Sequence, residues 1–453
     1  MQPIRFGGVQ FGFVHPLILI AVLIGAALIL LLPRKQVMTP LLMTSILVPM
    51  DQVVVIAGFH FQMIRLLILV GWIRVLMNGG AGGRRWTAID RGIVAWAILT
   101  AIDISLLWQS TAAFQNQLGT LYTVFGVYFL LRALSQDQNA LVTAIRSLAW
   151  TSAVVACVMI VEQATHRNPY AYIWATAPQG SSVMERDGKF RAMACFAHPL
   201  LAGSFGAICL PMFVWLWRAS KKSRTLAWAG MASSTAIVLA ANSSTPLLAY
   251  VGSLLALMLW PIRTRMRMLR WGMVIVLVAL HLTMKAPVWA LIARIDVTGS
   301  SSGYHRYQLV DQFIRHFGDW WMLGTTHNAD WGWDMWDLAN QYVAVGETSG
   351  LLPFIFFIAI IVCSFKMIGK ARKQARDRAT ESFVWALGAA MFANVVAFFG
   401  ISYYDQTMVV WYLLLAIIPV GCAPKPVPVE RNSLLPPAGS TDPSPLNHSP
   451  AFG

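Results

Sequence analysis

Charge is scarce in this sequence, and acid scarcer still: 12% of its 453 residues are Asp, Glu, Lys or Arg, and only 19 are acidic. A water-soluble globular fold needs polar surface, which a chain that is 57% apolar with a mean hydropathy of +0.61 cannot supply. The solvent it calls for is a bilayer. Its net charge of +15 does not indicate nucleic acid, because Lys and Arg stand in short clusters between apolar runs and form no continuous basic stripe. Cysteine is sparse too. Cys157, Cys209, Cys363 and Cys422 fall within or beside apolar segments and only Cys195 lies near a long loop, so neither a disulfide framework nor a zinc pattern follows. The glycine-rich stretch 78–83 is followed by Arg84 and Arg85 rather than Gly-Lys-Ser/Thr, which excludes a P-loop and leaves a flexible loop. No Asp-x-Asp or His-Glu-x-x-His spacing occurs, so no metal and no cofactor are expected. Nor is there an internal repeat or an inverted pair of broken spans, which weakens a repeat-built secondary transporter.

What is present is a series of apolar runs long enough to cross a hydrocarbon core of about 30 Å, which takes roughly 20 helical residues. They fall near 13–33, 40–58, 61–78, 91–109, 117–134, 144–163, 199–217, 225–241, 245–261, 270–285, 340–365, 382–402 and 407–421. The fold class expected is all-α: a polytopic transmembrane helical bundle of about 12–14 spans over residues 1–421. The first run lacks a basic leader and a small-residue cleavage site and ends in Pro33, Arg34 and Lys35, so it reads as a retained helix.

Placing Arg34 and Lys35 in the cytoplasm and alternating from there sends Arg84-Arg85, the 218–224 and 263–267 clusters and the 366–378 stretch inward, as the positive-inside rule requires. The same alternation puts the N-terminus and two long loops, 164–198 and a large, partly helical 286–339, on the opposite face. The Pro-rich tail 422–453 reads as disordered and cytoplasmic.

Basic residues on the outer loops oppose the topology rule and need a reason. Arg186, Lys189 and Arg191 lie in the first loop, Arg294, Arg306 and Arg315 in the second. A guanidinium grips phosphate through a fixed fork of donors and stays charged when partly desolvated, which suits a lipid diphosphate. Contact with headgroups, or pairing with Glu185, Asp187, Asp296 or Asp311, is the simpler alternative. The second loop also carries Trp320, Trp321, Trp331, Trp333 and Trp336 among His327, Asn328, Asp330, Asp334 and Asp337. Flat aromatic faces stack on sugar rings, but Trp also anchors proteins at the membrane interface, and an amphipathic helix lying on the membrane is a third reading.

A base that takes a proton from a sugar hydroxyl would be an imidazole, His327 first and His305 next, or a carboxylate among Asp330, Asp337 and Glu347. Single histidines are more often structural. Asp51, Arg65, Arg74, Asp103 and Glu162 fall within the expected spans and must face the bundle interior, as packing locks or as a proton path.

Three pieces of sequence resemble the O-antigen ligase and polysaccharide polymerase superfamily of bacterial membrane glycosyltransferases. One runs from Lys189 through Arg191 and the His198-Pro199 turn to Gly203 (KFRAMACFAHPLLAG). The second is Asn242 to Pro246 (NSSTP). The third combines 300–309 (SSSGYHRYQL), Trp321 to Gly324 (WMLG), Asn340 to Tyr342 (NQY) and Glu347 to Leu351 (ETSGL).

The resemblance implies a bacterial inner-membrane fold of the membrane glycosyltransferase type. Its periplasmic cavity receives a polyprenyl-diphosphate-linked glycan and passes it to an acceptor hydroxyl. Arg191 and Arg306 then hold the diphosphate and stabilise it as a leaving group. Lys189, Tyr304, His305, Asn340 and Tyr342 join them as substrate-binding residues, with His327, Glu347 and Asp337 as catalytic candidates. In the ligase branch a His-Asn pair opens the helix after the large loop. Here that position reads Leu338, Ala339, Asn340, and the His327-Asn328 pair could serve only if the loop folds back.

The departure favours polymerisation of lipid-linked repeat units over ligation to lipid A core. A chain-length regulator and a flippase of the same pathway would be its partners. The readings from other classes are an exporter or flippase of lipid-linked saccharide, with Asp51, Asp103 and Glu162 coupling protons, and a non-catalytic scaffold.

Overall fold

The computed structural model describes residues 14–56, 59–80, 85–174, 184–186, 188–294 and 302–423. From residue 424 on the Pro-rich tail lies outside the described residues, as do Arg84 and the first part of the 300–309 motif. The helices are α1 (Pro16–Leu31), α2 (Met38–Leu47), α3 (Met63–Met77), α4 (Ala88–Trp108), α5 (Thr111–Leu134), α6 (Gln138–Thr165), α7 (Pro199–Ala219), α8 (Arg224–Ala240), α9 (Ser244–Met258), α10 (Met266–Thr283), α11 (Ser302–Arg315), α12 (Phe317–Trp320), α13 (Gln341–Ser349), α14 (Leu351–Gln374), α15 (Arg378–Ala397) and α16 (Thr407–Gly421). Among the described residues there are also two antiparallel hairpins: β1 (Val53–Ile56) with β2 (Phe59–Gln62), and β3 (Met184–Arg186) with β4 (Lys189–Arg191).

Local sequence sets these boundaries. Thr87 and Asp90 close a capping box on α4, and Ser110, Asp137 and Asp377 each accept a backbone N–H at the starts of α5, α6 and α15. The protein is an all-α membrane protein. Among the described residues, seven helical segments are long and apolar enough to cross a bilayer: α4, α5, α6, α7, α14, α15 and the stretch Trp260–Thr283 that ends in α10. Four shorter apolar helices, α1, α2, α9 and α16, accompany them.

Two expected spans are corrected. The run 40–58 is a ten-residue helix, α2, followed by a turn and the β1–β2 hairpin. Ten helical residues reach only about 15 Å. Pro49 and Asp51 break the run, and the β-branched series Val53, Val54, Val55, Ile56 takes strand geometry. The run 340–365 divides at Gly350, whose φ of +83° ends α13 and turns the chain into α14.

The core centres on α7 and α16, where nearly every side chain is buried. Glycines let helices meet there: a Cβ on Gly203 would strike Pro246 and Ala241, and one on Gly230 would strike Phe213. By contrast, α10 has no buried residue, so its apolar circumference is left to lipid.

Polar contacts divide the bundle into two ends. At one, Asp90 takes hydrogen bonds from Tyr128 (2.6 Å) and Arg132 (3.4 Å), and Arg263 pairs with Glu381 at 2.8 Å. The other end gathers the described parts of the 164–198 and 286–339 loops, the 241–244 turn and the segment between α15 and α16.

Candidate functional site

Arg191 is held at this second end by a scaffold of backbone bonds. Glu162, near the end of α6, accepts the N–H groups of Met193 (3.1 Å) and Ala194 (2.8 Å), the latter with φ +48°. Gln163 Nε2 donates to Phe190 O (2.9 Å) and Ala240 O (2.7 Å), and Ala192 N–H donates to Ala240 O (3.0 Å). Glu162 is therefore a packing anchor, which places one of the candidate proton-path carboxylates in a structural role. Arg191 itself is buried, and its Nε donates to Ser243 Oγ at 3.0 Å while Nη2 reaches the same oxygen. The arginine motif and the Ser-rich turn, separate in sequence, thus form one structure. Lys189 is exposed on β4, paired in register with Arg186.

His198 joins this wall, and sequence reasoning used it only as part of a turn. It caps α7, with Nδ1 accepting Leu200 N–H at 3.1 Å. Burial pushes its pKa down to about 4, with the charges of Arg191 and Arg186 adding to the effect. The ring is therefore neutral at pH 7 and its proton sits on Nε2, a donor that does not repel the neighbouring guanidiniums.

A second wall of candidate residues lies on α11. The helix is tied to the 3-10 turn Val288–Arg294 by Trp289 Nε1, which donates to Asp311 (3.1 Å), while Arg315 Nε donates to the other Asp311 oxygen (2.6 Å). Arg315 is thus spent on pairing, as the simpler alternative expected. Arg306 is buried on the same helix, Tyr304 is 58% exposed, and His305 Nε2 lies 3.3 Å from the Asp337 carbonyl and 4.0 Å from its carboxylate. The Asp337 carboxyl is raised by burial and by Asp334, and lowered by His305, Arg306 and Arg186. Arg186 therefore acts on both His198 and Asp337, and the two walls share one electrostatic field.

The large loop folds back onto α13. Asn328 Nδ2 donates to Glu347 Oε2 and to Met335 O, both at 3.1 Å, and Thr325 N–H donates to Glu347 O at 2.7 Å. Leu351 N–H donates to Trp321 O at 2.8 Å. The two motif pieces 321–324 and 347–351 are thereby laid backbone against backbone. His327 remains exposed, with Nδ1 3.1 Å from Thr326 Oγ1. Asn340 is fully buried and its side-chain oxygen caps α13 by accepting Tyr342 N–H and Val343 N–H. Tyr342 donates its hydroxyl to Val395 O at 3.1 Å and packs among Phe357, Phe398 and Phe399. Both build the floor beneath the loop rather than its surface.

Glu347 is 2% exposed, and burial pushes its carboxyl up to about 8 despite the Asn328 hydrogen bond. Folding thus favours the protonated acid. Its stabilising contribution is complete below the ordinary carboxylate value of 4.5 and is lost as pH rises through about 8. Thermal unfolding in detergent is expected to show stability falling across that window, by on the order of a few kcal/mol. Glu347→Gln should flatten the slope; an unchanged slope would show that Glu347 does not carry it.

Two further residues escaped the sequence reading. Asp405 accepts Ala197 N–H at 2.6 Å and so pins the His198 turn; burial raises its carboxyl to about 7. Tyr404, beside it, is 57% exposed. A Tyr-Tyr-Asp run between two apolar spans was the available signal.

His305, Asp334 and Asp337 each offer a ligand atom, all within 4.8 Å of one another. Sequence spacing gave no such group, since the fold alone joins α11 to the loop. Arg306 and Arg186 act on Asp337 with positive charge, which opposes a second cation there. The arrangement suits an anion next to a carboxylate: guanidiniums for developing negative charge, and Asp337 as a proton acceptor. No protein-family model and no curated protein matches the chain.

Proposed function

We propose that the protein is a membrane glycosyltransferase that polymerises polyprenyl-diphosphate-linked oligosaccharide units, with a fold of the polysaccharide polymerase and O-antigen ligase type. The observation that carries this reading is the convergence of Arg186, Arg191 and Arg306 on one end of an apolar bundle, around a neutral His198 and the carboxylate of Asp337. The basic 218–224, 263–267 and 366–378 clusters lie toward the other end, where Arg263 meets Glu381, and this charge asymmetry supports reading the arginine site as facing the periplasm.

Arg191 and Arg306 grip the donor diphosphate and take up the charge that develops as the anomeric carbon–oxygen bond breaks. Asp337 accepts the proton of the acceptor hydroxyl, and polyprenyl diphosphate leaves. Glu347 holds the loop through Asn328. A raised Asp337 carboxyl ionises at higher pH than an ordinary one, so kcat should rise with pH and Asp337→Asn should abolish the rising limb. A limb that survives Asp337→Asn would assign the proton to another group.

The ligase reading is favoured by one contact: Asn328 of the His327-Asn328 pair does reach Glu347. Of the exporter's three coupling residues, Glu162 is committed to backbone N–H groups and Asp51 lies in the turn before β1, which leaves Asp103, buried within α4, as its support. In host cells, Arg191→Ala or Arg306→Ala is expected to eliminate long polymer while single lipid-linked units still reach the outer face. Units trapped inside, together with loss of polymer on Asp51→Asn, would favour export.

A further inference from the structure

Of the loop tryptophans, Trp320 is buried and stacks on Phe313 at 4.0 Å, and Trp331 stacks on His316 at 4.6 Å with planes 9° apart. Trp333 and Trp336 are different: they are 80% and 70% exposed. Burial of Met335 between them, at 2% exposure, fixes the segment from which both project. The backbone is set by Gly332 (φ +153°) and Asp334 (φ +62°). Asn328 clamps Met335 O to the Glu347 carboxyl group, and the Asp337 carbonyl meets His305. Two bare indoles are thus held on a braced loop, directly beside the residues that flank Arg306.

A helix lying on the membrane has other requirements, and an interfacial Trp anchor would set this segment against anionic headgroups. Helices that lie on anionic membranes are amphipathic and rich in Lys and Arg, whereas residues 316–365 contain no Lys or Arg and carry Asp319, Asp330, Asp334 and Asp337. Among the described residues the segment between α12 and α13 holds no α-helix, only the 3-10 turn Asn328–Trp331 and further turns. Anionic headgroups would be repelled by that charge. A neutral polyhydroxylated ring suits it: its C–H face covers an indole while its rim hydroxyls donate to the Asp334 and Asp337 carboxylates.

We infer that Trp333 and Trp336, with Asp334 and Asp337 between and beside them, form the subsite for the acceptor saccharide. The assignment deepens the transferase reading and rests on it for the word acceptor. It also places the acceptor hydroxyl next to Asp337, across from the diphosphate grip.

The test titrates lipid-free oligosaccharide, released by mild acid from the host's lipid-linked glycan, into the full chain in lipid nanodiscs by calorimetry. Transfer is measured on the same samples. Trp333→Ala with Trp336→Ala should weaken saccharide binding about tenfold or more and raise the acceptor KM with little change in kcat. Phe at both positions should recover most of the affinity. Trp271→Ala, which removes a 61% exposed indole on α10, should bind like wild type.

Wild-type transfer without measurable binding of the lipid-free saccharide would overturn the subsite and leave the transferase reading standing. Saccharide affinity untouched by the double substitution, with both indoles quenched by brominated lipid, would overturn it in favour of membrane anchoring. Binding that depends on the tryptophans but without transfer would keep the subsite and remove the transferase.

Discussion

Replacing Arg306 by Ala is expected to lower kcat by about 10²–10³-fold, the range seen when one preorganised donor to developing negative charge is removed from a dry site. Arg306 is 8% and Arg191 6% exposed, so each charge acts where water screens it little, and Arg191→Ala should cost a similar factor. Lys at either position keeps the charge but loses the planar fork, and should recover only part of the rate. Rates from purified protein in nanodiscs, checked for equal folding by thermal unfolding, decide this. Full activity in Arg306→Ala would remove the arginine from the chemistry.

The second large effect is on the fold of the loop. Gly324 and Gly350 have φ of +92° and +83°, and a Cβ on them would come within 2.5 Å of Glu347 O and Met322 O respectively. These obstacles are backbone atoms and cannot swing away. Gly350→Val combines left-handed strain with that overlap and is expected to cost on the order of 3 kcal/mol or more, releasing 321–324 from 347–351. Hydrogen exchange should report it as lost protection at Thr325 N–H and Leu351 N–H, which cross the contact. A variant with wild-type exchange at both amides would show that the two strands of chain do not depend on glycine.

Much of this was legible in the sequence, and the reasons where it was not are physical. Apolar runs located the long helices because span length and lipid exposure leave a strong local pattern. The 40–58 run failed because hydropathy cannot tell a short helix plus hairpin from one span; Pro49 and the Val53 to Ile56 series held the missing information. Gly350 hid a break for the same reason.

For the site, the charge rule marked six outer-loop basic residues alike, and the resemblance singled out Arg191 and Arg306 among them. No such signal marked the pairing: Ser243, although part of the NSSTP piece, meets Arg191 from the turn after α8, and Asp405, which nothing singled out, pins the His198 turn from beyond α15. Such pairings are tertiary and leave no local spacing. Asn340 and Tyr342 looked like site residues because polar groups near a loop mouth read alike, whether they cap a helix, as Asn340 does, or face a substrate. His327-Asn328 also divides in a way that adjacency could not reveal, with Asn328 turned to Glu347 and His327 left exposed.

The most direct test supplies purified protein in lipid nanodiscs with lipid-diphosphate-linked glycan extracted from its host and resolves the products by size. A ladder of longer lipid-linked chains, absent with Arg306→Ala, is the predicted result. No covalent product, with or without lipid A core as acceptor, would contradict transfer altogether.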